Sequence, residues 1–303
     1  VNRPRGILHS VLAASLALGA VAALVACAAT GTGSSGGSGS TGSSGGSGST
    51  GGSESASVAR TDGGHVTLPP TSGAADYQLG GAYQPPAGVT VVTRDSTSHP
   101  AAGVYSICYV NGFQTQPDVK WPSDLYLHTA SGAPLVDPGW PGEHIIDIST
   151  AAKRTAAAAR IDESTDLCAK KGFKAVEFDN LDSYTRSKKQ LTLGEAVSFA
   201  TLLVAHAHAQ GLAAGQKNTT QLGSRGKAEI GYDFAVAEQC DLYSECPAYT
   251  KVYGKHVIDI EYTAGLRGTF AQVCARKTTP PLTILRDVDL TTPASSRYVY
   301  RHC

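Results

Sequence analysis

The sequence predicts an α/β protein, a (β/α)8 TIM-like barrel preceded by a lipoprotein signal peptide and a disordered Gly/Ser linker. Three observations predict it. Beyond residue 75, short apolar runs alternate with longer helical stretches, the pattern of a parallel sheet with helical crossovers. About 228 residues follow the linker, which suits one barrel better than two small domains. Four consecutive apolar runs also end in polar residues, where barrels of this class keep their chemistry.

The chain opens with Arg3 and Arg5 and an apolar run from Ile7 to Ala26, ending Leu24-Val25-Ala26-Cys27. A basic start, an apolar core and small residues before a cut site make a secretory signal. The last four residues resemble a bacterial lipobox, which makes Cys27 the expected lipidation site. The protein is therefore expected to be secreted and lipid-anchored to the outer face of a bacterial cell membrane. The alternative is an uncleaved anchor, since the run is about long enough to span. From Ala28 to about Ser57 almost every residue is Gly, Ser or Thr, a composition that buries no core. The expected organisation is a signal peptide over 1–26, a lipidated Cys and tether over 27–75, and the barrel over 76–303.

Within the barrel the candidate strands are 77–79, 89–93, 104–110, 144–148, 175–178, 213–216, 234–237, 257–261 and 282–286. These are nine candidates for eight places, so one end of the series is expected to be miscalled or extra. Ser149 is placed to cap an Ala-rich helix running to about Lys171, with Gly172 beyond its end. Thr192-x-x-Glu195 is a capping box opening a second helix, which Gly211 closes.

Net charge is zero, so nothing suggests a nucleic-acid partner, which would need a basic face. Apart from Cys27 there are six cysteines, enough for three disulfides in 15 connectivities. Cys240 with Cys246 is the best local pair, and Cys274 with Cys303 would pin the C-terminus. Cys108 and Cys168 are what remains. No CxxC pair occurs, and His206 and His208 stand i, i+2 on a helix, where they do not face each other. No metal and no cofactor are expected.

The polar strand ends are Glu177 and Asp179, Lys217 and Asn218, Glu238 and Gln239, and Asp259 and Glu261. Side chains alternate along a strand, so Ala175, Glu177 and Asp179 share one face. The strands of Asp179 and Glu238 flank that of Lys217, so their backbones stand ~10 Å apart. Inward side chains narrow this to the ~5 to 9.5 Å used by paired glycosidase carboxylates. Lys217 is suited to hold their charge state or orient a sugar, and Glu177, one layer deeper, to partner Lys217 or bind sugar. Tyr184 and Tyr262 are candidates for stacking on sugar faces.

Val176-Glu177-Phe178-Asp179-Asn180-Leu181-Asp182-Ser183-Tyr184 resembles the signature of glycoside hydrolase family 114, the endo-α-1,4-polygalactosaminidases. So do Ala207 to Leu212 with Gln216-Lys217-Asn218, Phe234 to Cys240 with Tyr243 and Glu245-Cys246, and Ile260-Glu261-Tyr262. The resemblance runs from about Asp76 to the C-terminus. It implies a TIM-like barrel that hydrolyses a galactosamine-containing polysaccharide, with Asp179 and Glu238 as the catalytic pair. Glu177, Asn180, Asp182, Tyr184, Lys217, Asn218, Glu261 and Tyr262 are the expected substrate-binding residues. The loop Asn111 to Pro117 departs from the family, with Gln where Glu and Arg are expected, and Tyr77-Gln78-Leu79 shortens an aromatic opening. An acidic mouth of Glu177, Asp179, Asp182, Glu238, Glu245, Asp259 and Glu261 would attract a cationic amino-sugar polymer. The expected protein is a monomer whose partners are that polymer and, through the anchor, a membrane. The alternative is a non-catalytic carbohydrate-binding lipoprotein on a degenerate barrel.

Overall fold

The computed structural model describes residues 66–303 apart from residue 118. The expected signal peptide, Cys27 and the expected tether up to residue 65 lie outside the described residues, whereas 66–75, also expected in the tether, are described and pack on the barrel. Eight parallel strands form the barrel: β1 (Ala74–Tyr77), β2 (Val89–Asp95), β3 (Tyr105–Asn111), β6 (Ala175–Asp179), β7 (Ala213–Lys217), β8 (Phe234–Glu238), β9 (Val257–Tyr262) and β10 (Leu282–Arg286). They are neighbours in that order, and β11 (Tyr300–His302) pairs antiparallel with β10. A separate hairpin, β4 (Val136–Asp137) and β5 (Trp140–His144), stands between β3 and the first helix.

The outer layer is sparse. Helix α1 (Ala151–Lys171) is capped by Thr150, one residue beyond the expected Ser149, and ends at Gly172 in the left-handed conformation with φ 92°. Helix α2 (Leu193–Ala209) opens on the Thr192–Glu195 capping box. Helices α3 (Cys246–Tyr253) and α4 (Phe270–Cys274) are short. No helix follows β1 or β2 before the next strand. Disulfides join Cys108 to Cys168, Cys240 to Cys246, and Cys274 to Cys303.

Two strand expectations are corrected. The surplus candidate is the fourth, 144–148, and neither end. Ile145, Ile146 and Ile148 are buried in the layer between sheet and helices, and Ile145 and Ile146 make only isolated bridges to Gln114 and Tyr126. A short apolar run has the same pattern whether it joins the sheet or packs beneath a loop. The first strand begins at Ala74, three residues before the expected start, because two alanines give no strand signal.

Strand alternation divides the apolar residues into two cores. Outward residues such as Val176, Phe178, Ala214 and Ala235 meet the helices. Inward residues such as Ile107, Ala175, Phe234, Ile258 and Ile284 fill the barrel. Gly215 makes room in that filling: a Cβ there would stand 2.6 Å from the Phe234 ring. Segment 66–73 crosses the end of the barrel where the strands begin. Val66 packs against the interior, Tyr105 Oη donates to Thr67 O at 2.5 Å, and His256 Nδ1 lies 3.0 Å from Pro69 O.

Arg286 joins the two edges of the sheet. Its side chain is fully buried and donates to Asp76 Oδ1 at 3.2 Å, Thr291 O at 2.8 Å, Val299 O at 3.0 Å and Tyr77 O. Tyr300 Oη adds a bond to Ala75 O at 2.9 Å. Side chains thus hold the seam between β1 and the β10–β11 edge.

Candidate active site

Strands β6, β7 and β8 lie side by side, and each ends in a charged residue that points inward: Asp179, Lys217 and Glu238. The residue after each strand adopts a left-handed backbone, with φ 65° at Asn180, 48° at Asn218 and 57° at Gln239. Such conformations cost ~1–3 kcal/mol each in a non-glycine residue and cluster at functional sites. Here they turn the chain sharply away, so the last side chain of each strand stands at the rim of a packed core.

The Lys217 ammonium lies 3.2 Å from Asp179 Oδ2 and 3.1 Å from Glu238 Oε2. Lys217 is only 2% exposed and sits between the rings of Tyr77 and Tyr109. Burial alone would strip its proton, but Asp179, Glu238 and Glu177 hold its affinity above the usual value. Asp179 also accepts from Tyr109 Oη at 2.8 Å and from the Asn180 amide at 2.7 Å. Burial favours its neutral form, yet Lys217, Tyr109 and Asn180 together keep its pKa below the ordinary carboxylate range. Glu238 Oε2 accepts from Asn218 Nδ2 at 3.0 Å, and Oε1 from Tyr262 Oη at 2.5 Å. The Glu238 amide donates to Asn218 Oδ1 at 2.8 Å, so Asn218 fixes both ends of that residue.

Glu177 lies beneath Asp179 and is fully buried. Its Oε1 accepts from Tyr77 Oη at 2.5 Å, while Oε2 has no hydrogen-bond partner. Burial pushes its pKa up to about 8, against the pull of Lys217 and Tyr77. On the β3 side, Asn111 is paired in register with Asp179. Its Oδ1 accepts from Asn180 Nδ2 at 2.9 Å and its Nδ2 donates to Glu143 Oε2 at 2.8 Å.

This arrangement, two carboxylates held at the C-terminal end of a barrel by one buried ammonium, is one that can cleave a glycosidic bond. The family model for glycoside-hydrolase family GH114 matches residues 55–303. The chain belongs to GH114. It is a glycoside hydrolase. Its fold is similar to that of Aspergillus fumigatus Ega3, solved in complex with galactosamine, with TM-score 0.63, 22% identity and coverage of 80% of this chain and 100% of that one. It is also similar to the glycoside hydrolase domain of PelA from Pseudomonas aeruginosa, with TM-score 0.52, 16% identity and coverage of 75% and 97%. No curated protein sequence matches the chain.

Within this GH114 barrel, Asp179, Lys217, Asn218, Glu238 and Tyr262 converge as described, and Glu177 sits below them. Asn180 lies at the rim, where Arg186 Nη2 also donates to its Oδ1 at 3.3 Å. Asp182 is paired with Arg186 at 2.8 Å, and Tyr184 packs half-buried against the helical-layer core. Glu261 does not reach the mouth. Tyr262, Ile260 and Ile258 take the inward positions of β9, so Glu261 and Asp259 point outward and are fully buried. Glu261 accepts from the Asp241 amide at 2.8 Å, and Asp259 from the Cys240 amide at 3.1 Å. The mouth is correspondingly less acidic than the sequence suggested.

The histidines are remote from this centre. His206 lies between Asp162 and Asp166 of α1, and His208 Nε2 is 2.8 Å from Asp233, which precedes β8. Cys240, Cys246 and Asp259 form the tightest ligand-like group among the described residues, but a disulfide consumes both sulfurs. Sequence reasoning missed Tyr77, Tyr109, Asn111 and Glu143. The signal for two of them was present: Ile107, Tyr109 and Asn111 form an inward row with a polar end, the pattern applied to later strands but not to β3. Gln114, the departure from the family pattern, is buried and bonds Asp137 of the hairpin.

Proposed function

We propose that this GH114 member hydrolyses an α-linked galactosamine-containing polysaccharide, of the endo-α-1,4-polygalactosaminidase type, by a two-step displacement. The observation that carries this reading is the shared ammonium. Its 3.2 and 3.1 Å contacts put an Asp179 oxygen and a Glu238 oxygen no more than about 6.3 Å apart, a bound that admits the ~5–5.5 Å of retaining pairs. Asp179, held ionised by three donors, is the nucleophile. Glu238 gives its proton to the leaving glycosidic oxygen as Asp179 bonds to the anomeric carbon. Glu238 then takes a proton from water, and that water displaces Asp179 and frees the second sugar product. Lys217 keeps Glu238 in position while Asp179 is esterified. The galactosamine substrate is supported by the family and by the ligand bound to Ega3.

Under the same reading the catalytic domain, expected from residue 76, takes in all of β1 from Ala74 and runs to 303, and it works as a monomer outside the cytoplasm. Its three disulfides fit that oxidising compartment. Anchoring through a lipid on Cys27 belongs to this proposal. The test is release of reducing ends from an α-1,4-galactosamine polymer. Asp179→Asn and Glu238→Gln should each lower turnover at least ~1,000-fold while the circular-dichroism spectrum of the folded protein is retained. Near-wild-type turnover in either variant assigns the chemistry elsewhere.

A further inference from the structure

Given the hydrolase reading above, the substrate's position follows from Asp179. The anomeric carbon must come within ~3–3.5 Å of the nucleophile. The group on the neighbouring ring carbon then lies among the residues that flank Asp179. On the β7–β8 side the Lys217 ammonium, itself buried, is already shared between Asp179 and Glu238. On the β3 side stand Tyr109 and Asn111, and beyond Asn111 the carboxylate of Glu143. A cationic substituent on that side meets a further carboxylate.

Glu143 is also held in place. Asn111 is oriented by Asn180, whose Nδ2 takes the Asn111 carbonyl, so the Asn111 Nδ2 is turned to Glu143 Oε2 at 2.8 Å. The hairpin that carries Glu143 is fixed at its turn. Asp137 is fully buried, meets Arg186 Nε at 2.5 Å and accepts from Gln114. Glu143 itself is half-buried. A neutral hydroxyl or acetamide needs only an amide such as Asn111 as its partner. An ammonium forms the stronger, charge-assisted bond to a carboxylate.

We infer that Glu143 receives the substrate's ammonium group next to the cleaved bond and makes the enzyme selective for the free amino sugar over its N-acetylated form. The test compares wild type, Glu143→Gln and Glu143→Asp on a de-N-acetylated α-1,4-galactosamine polymer and on the same polymer re-N-acetylated. Reducing-end release is measured with the full chain, and calorimetry on a de-N-acetylated oligomer gives affinity. Glu143→Gln should lose about 10- to 100-fold in kcat/KM on the free-amine polymer, the range of a hydrogen bond to a charged group, and little on the acetylated one. Glu143→Asp should recover part of the preference. Equal losses on both polymers, or none on either, overturn the inference and leave the hydrolase reading standing. Binding that depends on Glu143 without cleavage supports the inference and overturns the hydrolase reading. Failure of the wild type both to bind and to cleave overturns both.

Discussion

Replacing Lys217 with methionine removes the cation that two carboxylates share while keeping most of the buried stem. Asp179 and Glu238 then face each other across about 6 Å, a repulsion of about 3 kcal/mol at an effective dielectric of ~20. Truncating one partner of a buried ionic group costs about 3–5 kcal/mol. We expect Lys217→Met to lose that much stability at pH 7.5, measured by urea unfolding. In wild type, Lys217 and its neighbours depress the folded Asp179 pKa, so this stability is present above the unfolded value near 4 and is lost as pH falls through the folded one. In the variant, burial and mutual repulsion raise the carboxylate pKa values. Its deficit therefore shrinks as pH falls from 7.5 to 4.5 and one carboxyl takes up a proton. A deficit below about 1 kcal/mol at pH 7.5, or one equal at both pH values, would refute the claim that Lys217 carries the electrostatics of the pair.

Three further outcomes are expected. Glu177 has a raised folded pKa of about 8, so its contribution to stability is full below the unfolded value and lost as pH rises toward 8; Glu177→Gln should flatten stability across that window in pH-dependent unfolding. Removing the Cys108–Cys168 bridge, with a separation of 60, should cost about 4 kcal/mol, and removing Cys240–Cys246, with a separation of 6, about 2, in paired Cys→Ser variants by chemical denaturation. Arg286→Lys keeps the charge but loses the fork that spans the seam, and should cost about 2–3 kcal/mol, with β1 and β11 amides the first to gain hydrogen exchange.

The barrel was legible in sequence because strand alternation and the two helix caps are local signals. Thr192 and Glu195 announce α2 within four residues, and Ile258-Asp259-Ile260-Glu261 alternates cleanly. The same alternation hid which parity faces inward on β9, so Glu261 was assigned to the mouth although Tyr262 occupies it. Parity is set by neighbouring strands, which no single strand encodes. Lys217 was legible as a charge on an apolar strand, but its equal reach to Asp179 and Glu238 depends on the register of three strands. Glu143 was not legible at all, because its hairpin reaches the mouth through the long-range contacts of Asp137 with Arg186 and Gln114.

The segment that crosses the start of the strands has a mechanical consequence. Val66 is seated in the floor of the barrel, directly opposite the rim that carries Asp179 and Glu238. Whatever pulls on the chain from upstream pulls on the floor. The two ends of the barrel thus carry separate duties, with the chain entering at the floor and the carboxylates open at the rim.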